Sequence, residues 1–156
     1  MAIDRVRAYL SEYGVEDRIL ELDESSATVA LAAEALCTEE ARIAKTMSFL
    51  VGDRPILIVM AGDARIDNKR YKAEFGAKAK MIPPSDVENI VGHAVGGVCP
   101  FAINEGITVY LDESLKRFDT VFPACGSSNS AIELTIAELE RYSRSTRWVA
   151  VTKLVE

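Results

Sequence analysis

The sequence predicts an α+β fold in which short helices surround a mixed, curled β-sheet. Apolar residues recur at helical spacing in some segments, while others are continuously apolar or alternate as strands do. The two kinds of segment are interspersed, and no internal repeat, low-complexity tract or linker separates them. We therefore expect residues 1–156 to form a single domain, long enough to bury a substantial core.

The helices are predicted from their apolar spacing and their terminal residues. The first carries Ile3, Val6 and Leu10 and stops before Gly14, and the second begins after Ser25 or Ser26. Thr38 is an expected N-cap, with acidic residues in the first turn of a short helix that runs into Lys45. Further helices are expected at 68–75, at 85–91 with Ser85 as N-cap, at 112–117 and at 136–142.

The strands are predicted from alternation and from short apolar runs. Residues 46–51 alternate, residues 55–60 form a mostly buried strand, and Gly52 and Asp53 form the turn of a hairpin between them. The remaining strands are expected at 107–111, 120–124, 131–134 and 147–152.

The composition excludes several classes of protein. Charged residues interrupt the first turn, so no secretory signal peptide is expected, and no apolar run is long enough to span a membrane. Three scattered cysteines and one histidine argue against a disulfide framework and against a metal centre. The sequence thus favours a cytoplasmic protein that needs no cofactor or metal and has no membrane partner.

A basic strip stands out against the formal net charge of −6. Residues 64–80 contain six basic and two acidic residues. Such a strip on an acidic protein can direct a phosphate backbone to one face. The alternative is an ordinary solvated helix face. The strip residues expected to contact backbone phosphates are Arg65, Lys69, Arg70 and Lys72.

The stretch from Gly96 to Pro100, which we call the 96–100 loop, is the most informative motif. Its paired glycines allow backbone amides to approach a ligand closely, and Pro100 stiffens the loop. Exposed amides on a stiff loop can hold an anion or a developing oxyanion. The alternative is a tight turn between two strands.

Three further features could carry chemistry. Lys45 has apolar neighbours, so it either needs an anionic partner or extends its ammonium group to the surface. Cys99 and His93 could form a thiol nucleophile with its base, although a lone loop cysteine is more often a packed residue. The segment from Gly126 to Ser130 is either a turn or a second set of amides and hydroxyls facing the 96–100 loop.

Taken together, these motifs resemble the YbaK/prolyl-tRNA-synthetase-associated domain family. The resemblance extends from about Val29 to Leu154, and its most specific parts are Lys45 before a strand and the G-x-x-x-P pattern of the 96–100 loop. It implies a mixed α/β fold with a barrel-like sheet. It also implies hydrolysis of the ester between a wrong amino acid and the 3′ end of a tRNA, with an aminoacyl-tRNA synthetase as a further partner.

The resemblance implies roles for particular residues. Lys45 would contact the terminal adenosine or its phosphates, and Gly96, Gly97, Val98, Cys99 and Pro100 would hold the aminoacyl group and its carbonyl. No protein side chain is then required as nucleophile. Many relatives carry serine or proline where Cys99 stands. The expected substrate-binding residues are Thr46, His93, Phe101, Gly126, Ser127, Ser128, Asn129 and Glu133.

Three functions remain open on the sequence. The first is an aminoacyl-tRNA deacylase that acts in trans. The second is a non-catalytic module that binds a nucleotide or aminoacyl ligand in the same pocket. The third is a small-ester hydrolase that depends on Cys99.

Overall fold

The computed structural model describes residues 2–155. The described helices are α1 (Ala2–Ser11), α2 (Val29–Leu36), α3 (Asn68–Phe75), α4 (Pro84–Val91) and α5 (Ile136–Ser143). The described strands are β1 (Leu20–Glu21), β2 (Ile43–Val51), β3 (Arg54–Ala61), β4 (Ala64–Ile66), β5 (Thr108–Asp112), β6 (Thr120–Pro123), β7 (Ser130–Ala131), β8 (Leu134–Thr135), β9 (Arg147–Val149) and β10 (Thr152–Leu154). None of the described helices is long and apolar enough to cross a membrane.

Six strands form one mixed sheet in the order β8-β6-β2-β3-β5-β9, curled into a half-barrel. The central hairpin pairs β2 with β3 in antiparallel register, while β6, β5 and β9 join by parallel pairing. Two small antiparallel ribbons, β1 with β7 and β4 with β10, lie outside it. The predicted α+β fold with a mixed, curled sheet is confirmed.

The two faces of the sheet have separate cores because successive strand residues point to opposite faces. Leu57 and Val59 of β3 belong to a core that also contains apolar residues of α1, α4 and α5. Ile58 and Met60 pack on the other face with Tyr71 of α3. On β2, Met47 and Phe49 belong to this α3 face, so alternation directs Lys45 to the same face.

Two predicted helix starts were wrong. The second helix begins at Val29, because the Thr28 hydroxyl accepts a hydrogen bond from the Leu31 amide and makes Thr28 the N-cap. The helix predicted from Ser85 begins at Pro84, where a fixed φ favours the first helical position, with Pro83 as N-cap.

The helix predicted to run into Lys45 is also wrong. A short 3₁₀ turn, Glu40–Arg42, ends where Ile43 and Ala44 pair with β6, so Lys45 lies inside β2 rather than at a junction.

The last strand predicted, 147–152, is divided. The Asp112 carboxylate accepts the Val151 amide at 2.9 Å and the Thr152 hydroxyl at 2.7 Å. Residues 147–149 pair with β5, and residues 152–154 pair with β4. The strand predicted at 131–134 is divided in the same way, since Ala131 pairs with β1 and Leu134 with β6.

Candidate functional site

A pocket of about 240 Å³ lies at the edge of β2. Its walls come from α2 and the residues before it, the first half of β2, the segments flanking α4, the 96–100 loop, and residues of β6 and β7. Lys45 is the only charged side chain among the described residues that line it. The site is therefore an apolar concavity with one cation.

The pocket exists because β2 lacks a neighbouring strand along part of one edge. β6 pairs only with Ile43 and Ala44. Further along, residues 80–82 bond to residues 48–50 through two backbone hydrogen bonds of 3.1 and 2.8 Å. Between these two contacts, no strand of the described chain pairs with residues 45–47 on this edge of β2, and the pocket occupies the gap.

Lys45 is half-buried, and removal of its ammonium group from water lowers its pKa. The nearby charge of Asp63 opposes that shift. Asp63 is itself fixed by Arg117, whose two terminal nitrogens donate to its carboxylate at 2.6 and 3.0 Å. That bond, and the Arg117 charge, lower the pKa of Asp63. Lys45 is thus a partly desolvated cation that forms no ion pair within residues 2–155, which makes it a good anchor for an anionic ligand.

The 96–100 loop contributes two residues to the pocket lining. Gly96, whose φ of +95° favours glycine, and Val98 both line it. The Gly97 amide is used by a turn, since it donates to the Ala94 carbonyl at 3.0 Å. Within residues 2–155, the amides of Gly96, Val98 and Cys99 have no hydrogen-bond acceptor, and of these three residues Gly96 and Val98 line the pocket.

Gly97 fixes the loop by close packing. A Cβ atom there would lie 2.8 Å from backbone atoms of Gly126 and Ser127. Gly97 is therefore the point where the 96–100 loop docks on the segment from Gly126 to Ser130, which is one of the two arrangements that the sequence left open.

Four of the expected site residues are buried and lie outside the pocket lining, namely Cys99, Pro100, Phe101 and His93. The Cys99 sulfur is 3.5 Å from His93 Nε2, and His93 Nε2 is 2.7 Å from the Phe101 carbonyl. Burial raises the pKa of the Cys99 thiol to about 12 and lowers the pKa of His93. A neutral, enclosed thiol is a poor nucleophile, so this pair does not supply the chemistry of a cysteine hydrolase.

The segment from Gly126 to Ser130 contributes Ser130 to the pocket lining and uses its other groups for support. The Ser127 hydroxyl is within hydrogen-bond distance of Asn129 Oδ1, at 3.0 Å, and of the Ser130 hydroxyl, at 2.8 Å. The Asn129 amide donates to the Leu22 carbonyl at 3.0 Å, and the Ser128 carbonyl accepts the Ser26 amide at 2.6 Å. These bonds hold the residues before α2 against the pocket.

Thr46 and Glu133 occupy different surroundings. Thr46 lines the pocket, and its buried hydroxyl has no hydrogen-bond partner among the described residues. Glu133 is outside the lining, and its carboxylate accepts the Arg42 guanidinium at 3.0 Å and the Thr120 hydroxyl at 2.7 Å.

The basic strip lies on α3, β4 and the following loop. Arg65, Lys69 and Lys72 are exposed, whereas one Arg70 nitrogen donates to the Thr152 carbonyl at 3.0 Å. Within residues 2–155, seven ion pairs join cations elsewhere to acidic groups, and none involves a strip cation. Lys153, opposite Arg65 in the ribbon of β4 and β10, adds a cation that the sequence analysis missed.

The sequence also gave no prediction of the apolar wall of the pocket. Val29, Ala32 and Leu36 were expected as the core face of a helix, and Phe122 as part of a strand, but all four line the pocket. Their pattern is that of ordinary buried residues, so no signal in the sequence separates a pocket wall from the core.

Comparisons with known proteins agree on one family. A model of the aminoacyl-tRNA editing domain matches residues 23–142. The uncharacterized protein YwhH of Bacillus subtilis (strain 168) is 51% identical over 154 residues, covering 98% of both chains. A proline–tRNA ligase of Levilactobacillus brevis is 24% identical over 115 residues, which cover 73% of this chain but only 20% of that ligase.

Solved structures give the same result. A crystal structure described as a candidate trans-editing enzyme for prolyl-tRNA synthetase superposes with a TM-score of 0.87 and 26% identity over 97% of both chains.

Proposed function

Because the chain belongs to the aminoacyl-tRNA editing domain family, we propose that it hydrolyses the ester between an amino acid and the 3′ end of a tRNA. The observation that carries this proposal is that Lys45, Gly96 and Val98 line one pocket, and that the Gly96 and Val98 amides have no acceptor within residues 2–155. An anchoring cation and amides that can stabilise an oxyanion are the two elements that this hydrolysis needs.

Lys45 binds the terminal adenosine through its phosphates or ribose. Its ammonium is partly removed from water and has no ion pair with any residue that the structure describes, so an anionic ligand gains more from it than from a fully solvated lysine. This contact holds the ester near the attack geometry. Lys45 is therefore a binding residue that acts through orientation.

The amides of Gly96 and Val98 act on the ester carbonyl. A water molecule attacks the carbonyl carbon, and the oxyanion that forms accepts hydrogen bonds from these N–H groups. The tetrahedral intermediate then expels the ribose oxygen, which takes one proton of the attacking water and becomes the free 3′ hydroxyl of the tRNA, while the other proton of that water passes to solvent. The amino acid leaves as its carboxylate, and no protein nucleophile is used.

The basic strip binds the phosphates of the acceptor stem. α3, which carries Lys69 and Lys72, packs on the face of the sheet to which alternation directs Lys45. A stem that crosses this face can place its 3′ end beside Lys45. Contacts of this kind are largely independent of nucleotide sequence.

The test is deacylation of alanyl, cysteinyl, seryl and prolyl esters on tRNA-Pro and on their cognate tRNAs. We expect multiple turnover on at least one ester. Protection of the esters from spontaneous hydrolysis, without turnover, would instead show a binding module, and abolition of turnover by alkylation of Cys99 would show a thiol enzyme.

A further inference from the structure

The mouth of the pocket carries exposed apolar side chains. Met81 is 55% exposed and Val95 is 63% exposed, and both line the pocket. The other large apolar side chains that are exposed within the described residues lie outside the lining, namely Leu20, Leu31, Leu154 and Val155. Exposed apolar side chains are ordinary when they are scattered, but those that gather at one opening are typical of an interaction site.

Met81 is held at the mouth by β2. Two backbone hydrogen bonds to β2, of 2.8 and 3.1 Å, flank an antiparallel pair formed by Phe49 and Met81. Opposite residues of an antiparallel pair project from the same face of the sheet. Met81 therefore projects from the face that carries Phe49, Met47 and, by alternation, Lys45.

Met47 continues the surface that Met81 begins. It is partly buried, lines the pocket and lies diagonally opposite Met81 across the pair of β2 with residues 80–82, within reach of a long side chain. We call the surface formed by Met47 and Met81 the methionine platform. Thioether side chains adapt their shape to a ligand and make favourable contacts with aromatic rings.

The methionine platform lies between two groups of cations. The Phe49 ring centroid is 5.3 Å from that of Tyr71, so α3, with its exposed Lys69 and Lys72, borders the platform on one side. Lys45 precedes Met47 by two residues on the other side, and no acidic side chain of the described chain lines the pocket. This arrangement fits an anionic chain that carries flat rings, because its phosphates can meet the cations while its bases lie on the thioethers.

We propose that the methionine platform binds the unpaired nucleotides that precede the terminal adenosine of the tRNA. The inference rests on the proposed function. Met81 opposes a residue four positions from Lys45, about 13 Å along β2. An RNA strand that runs from α3 to Lys45 therefore crosses Met81 before its terminal nucleotide reaches the pocket. Contacts between thioethers and base rings are largely independent of the base, because every base has a π-face.

The experiment compares 3′-aminoacylated adenosine with the 3′-aminoacylated trinucleotide CpCpA, which adds unpaired nucleotides but no acceptor stem. Met81→Ala should lower the trinucleotide-to-adenosine ratio of kcat/KM by about 3–10-fold, mainly through KM for the trinucleotide. Met81→Phe should raise this ratio a few fold, because bases stack on aromatic rings. Loss of packing in the protein does not produce such a gain.

The matched control is Leu20→Ala, which shortens an apolar side chain that is 44% exposed and outside the pocket lining. Its trinucleotide-to-adenosine ratio should equal that of the wild type. A merely structural role for Met81 would change the turnover of both substrates equally in Met81→Ala and in Met81→Phe. An unchanged ratio in both variants would overturn the inference.

A second readout separates this inference from the proposed function. Uncharged CpCpA and adenosine monophosphate are titrated into the wild type and the two Met81 variants. If no ester is turned over but Met81→Ala weakens and Met81→Phe strengthens the binding of CpCpA relative to adenosine monophosphate, the platform stands and the hydrolysis fails. If the wild type binds CpCpA no more tightly than adenosine monophosphate, the platform is overturned whether or not esters are hydrolysed.

Discussion

The two sides of the 96–100 loop differ in the groups they offer. On the pocket side, Gly96 and Val98 line the pocket together with the half-buried Lys45, and their amides have no acceptor within residues 2–155. On the core side, Cys99 and His93 are completely buried and contact each other and the Phe101 carbonyl. The residue types that suggest catalysis in the sequence are buried in the core, whereas residues without a reactive side chain line the pocket.

This difference shows how a loop can be chemically active without a reactive side chain. Fixed amides need no protonation step and lose little energy to reorganisation when charge develops on a carbonyl. The price is that the loop must be rigid, and the buried side chains behind it provide that rigidity. We therefore expect large effects on activity for substitutions on the pocket side of the loop and small effects for substitutions on the core side.

The largest effect is expected for Lys45→Ala. Loss of the anchoring cation should lower kcat/KM for deacylation by roughly 10²–10³-fold, as removal of one key polar contact does in other hydrolytic sites. Single-turnover kinetics on the best ester measures it, with Lys116→Ala as the control on an exposed cation outside the pocket lining. Full activity in Lys45→Ala would remove Lys45 from the site.

Gly97→Ala tests the close packing of the 96–100 loop on Gly126 and Ser127, which holds both sides of the loop in place. The added Cβ would lie 2.8 Å from backbone atoms of Gly126 and Ser127, so the loop has to move and its amides with it. We expect about a 10-fold or greater loss of activity and a stability loss of about 1–3 kcal/mol.

The control for Gly97→Ala is Gly106→Ala, which has open space around the new Cβ but a φ of +86°. It should lose about 1 kcal/mol of stability through backbone strain and keep its activity. Equal loss of activity in both variants would mean that Gly97 matters only for folding.

Much of the fold could be predicted from the sequence, because the hairpin of β2 and β3 and the helix at 68–75 carry strong local signals. The divided strands could not, since Asp112 binds Val151 and Thr152 from almost forty residues away. Within the site, the loop and Lys45 have recognisable motifs. Phe122 does not, because its role depends on a strand edge that only the assembled sheet leaves open.

Charge reversal on the basic strip tests whether tRNA also binds outside the pocket. Lys69→Glu combined with Lys72→Glu should weaken tRNA binding about 10-fold at low salt and reduce the slope of log K against log salt. Deacylation of an aminoacyl-adenosine, which has no acceptor stem, should be unchanged. An unaltered salt slope would exclude the strip from the interface.

A smaller effect is expected from pH, through Lys45. The protonated lysine binds the anion, and desolvation lowers its pKa, so affinity for adenosine monophosphate should fall as pH rises, beginning below the usual lysine range. Lys45→Arg should move this loss to higher pH. Asp63→Asn should move it to lower pH, because the Asp63 charge raises the pKa of Lys45. Identical pH profiles in all three proteins would contradict this assignment.

The smallest effect on activity is expected on the core side, for Cys99→Ser. The pKa of the Cys99 thiol is raised to about 12 and the thiol is fully buried, so hydrolysis at neutral pH should stay within about threefold of the wild type. Stability should fall by about 1–3 kcal/mol, because a hydroxyl costs more to bury than a thiol.

The exposed Cys37→Ser serves as the control for Cys99→Ser and should change neither activity nor stability appreciably. Turnover and thermal unfolding measured on the same samples separate the two effects. Loss of turnover in a folded Cys99→Ser protein that still binds tRNA would reverse the comparison, since the reactive group would then lie on the core side of the loop.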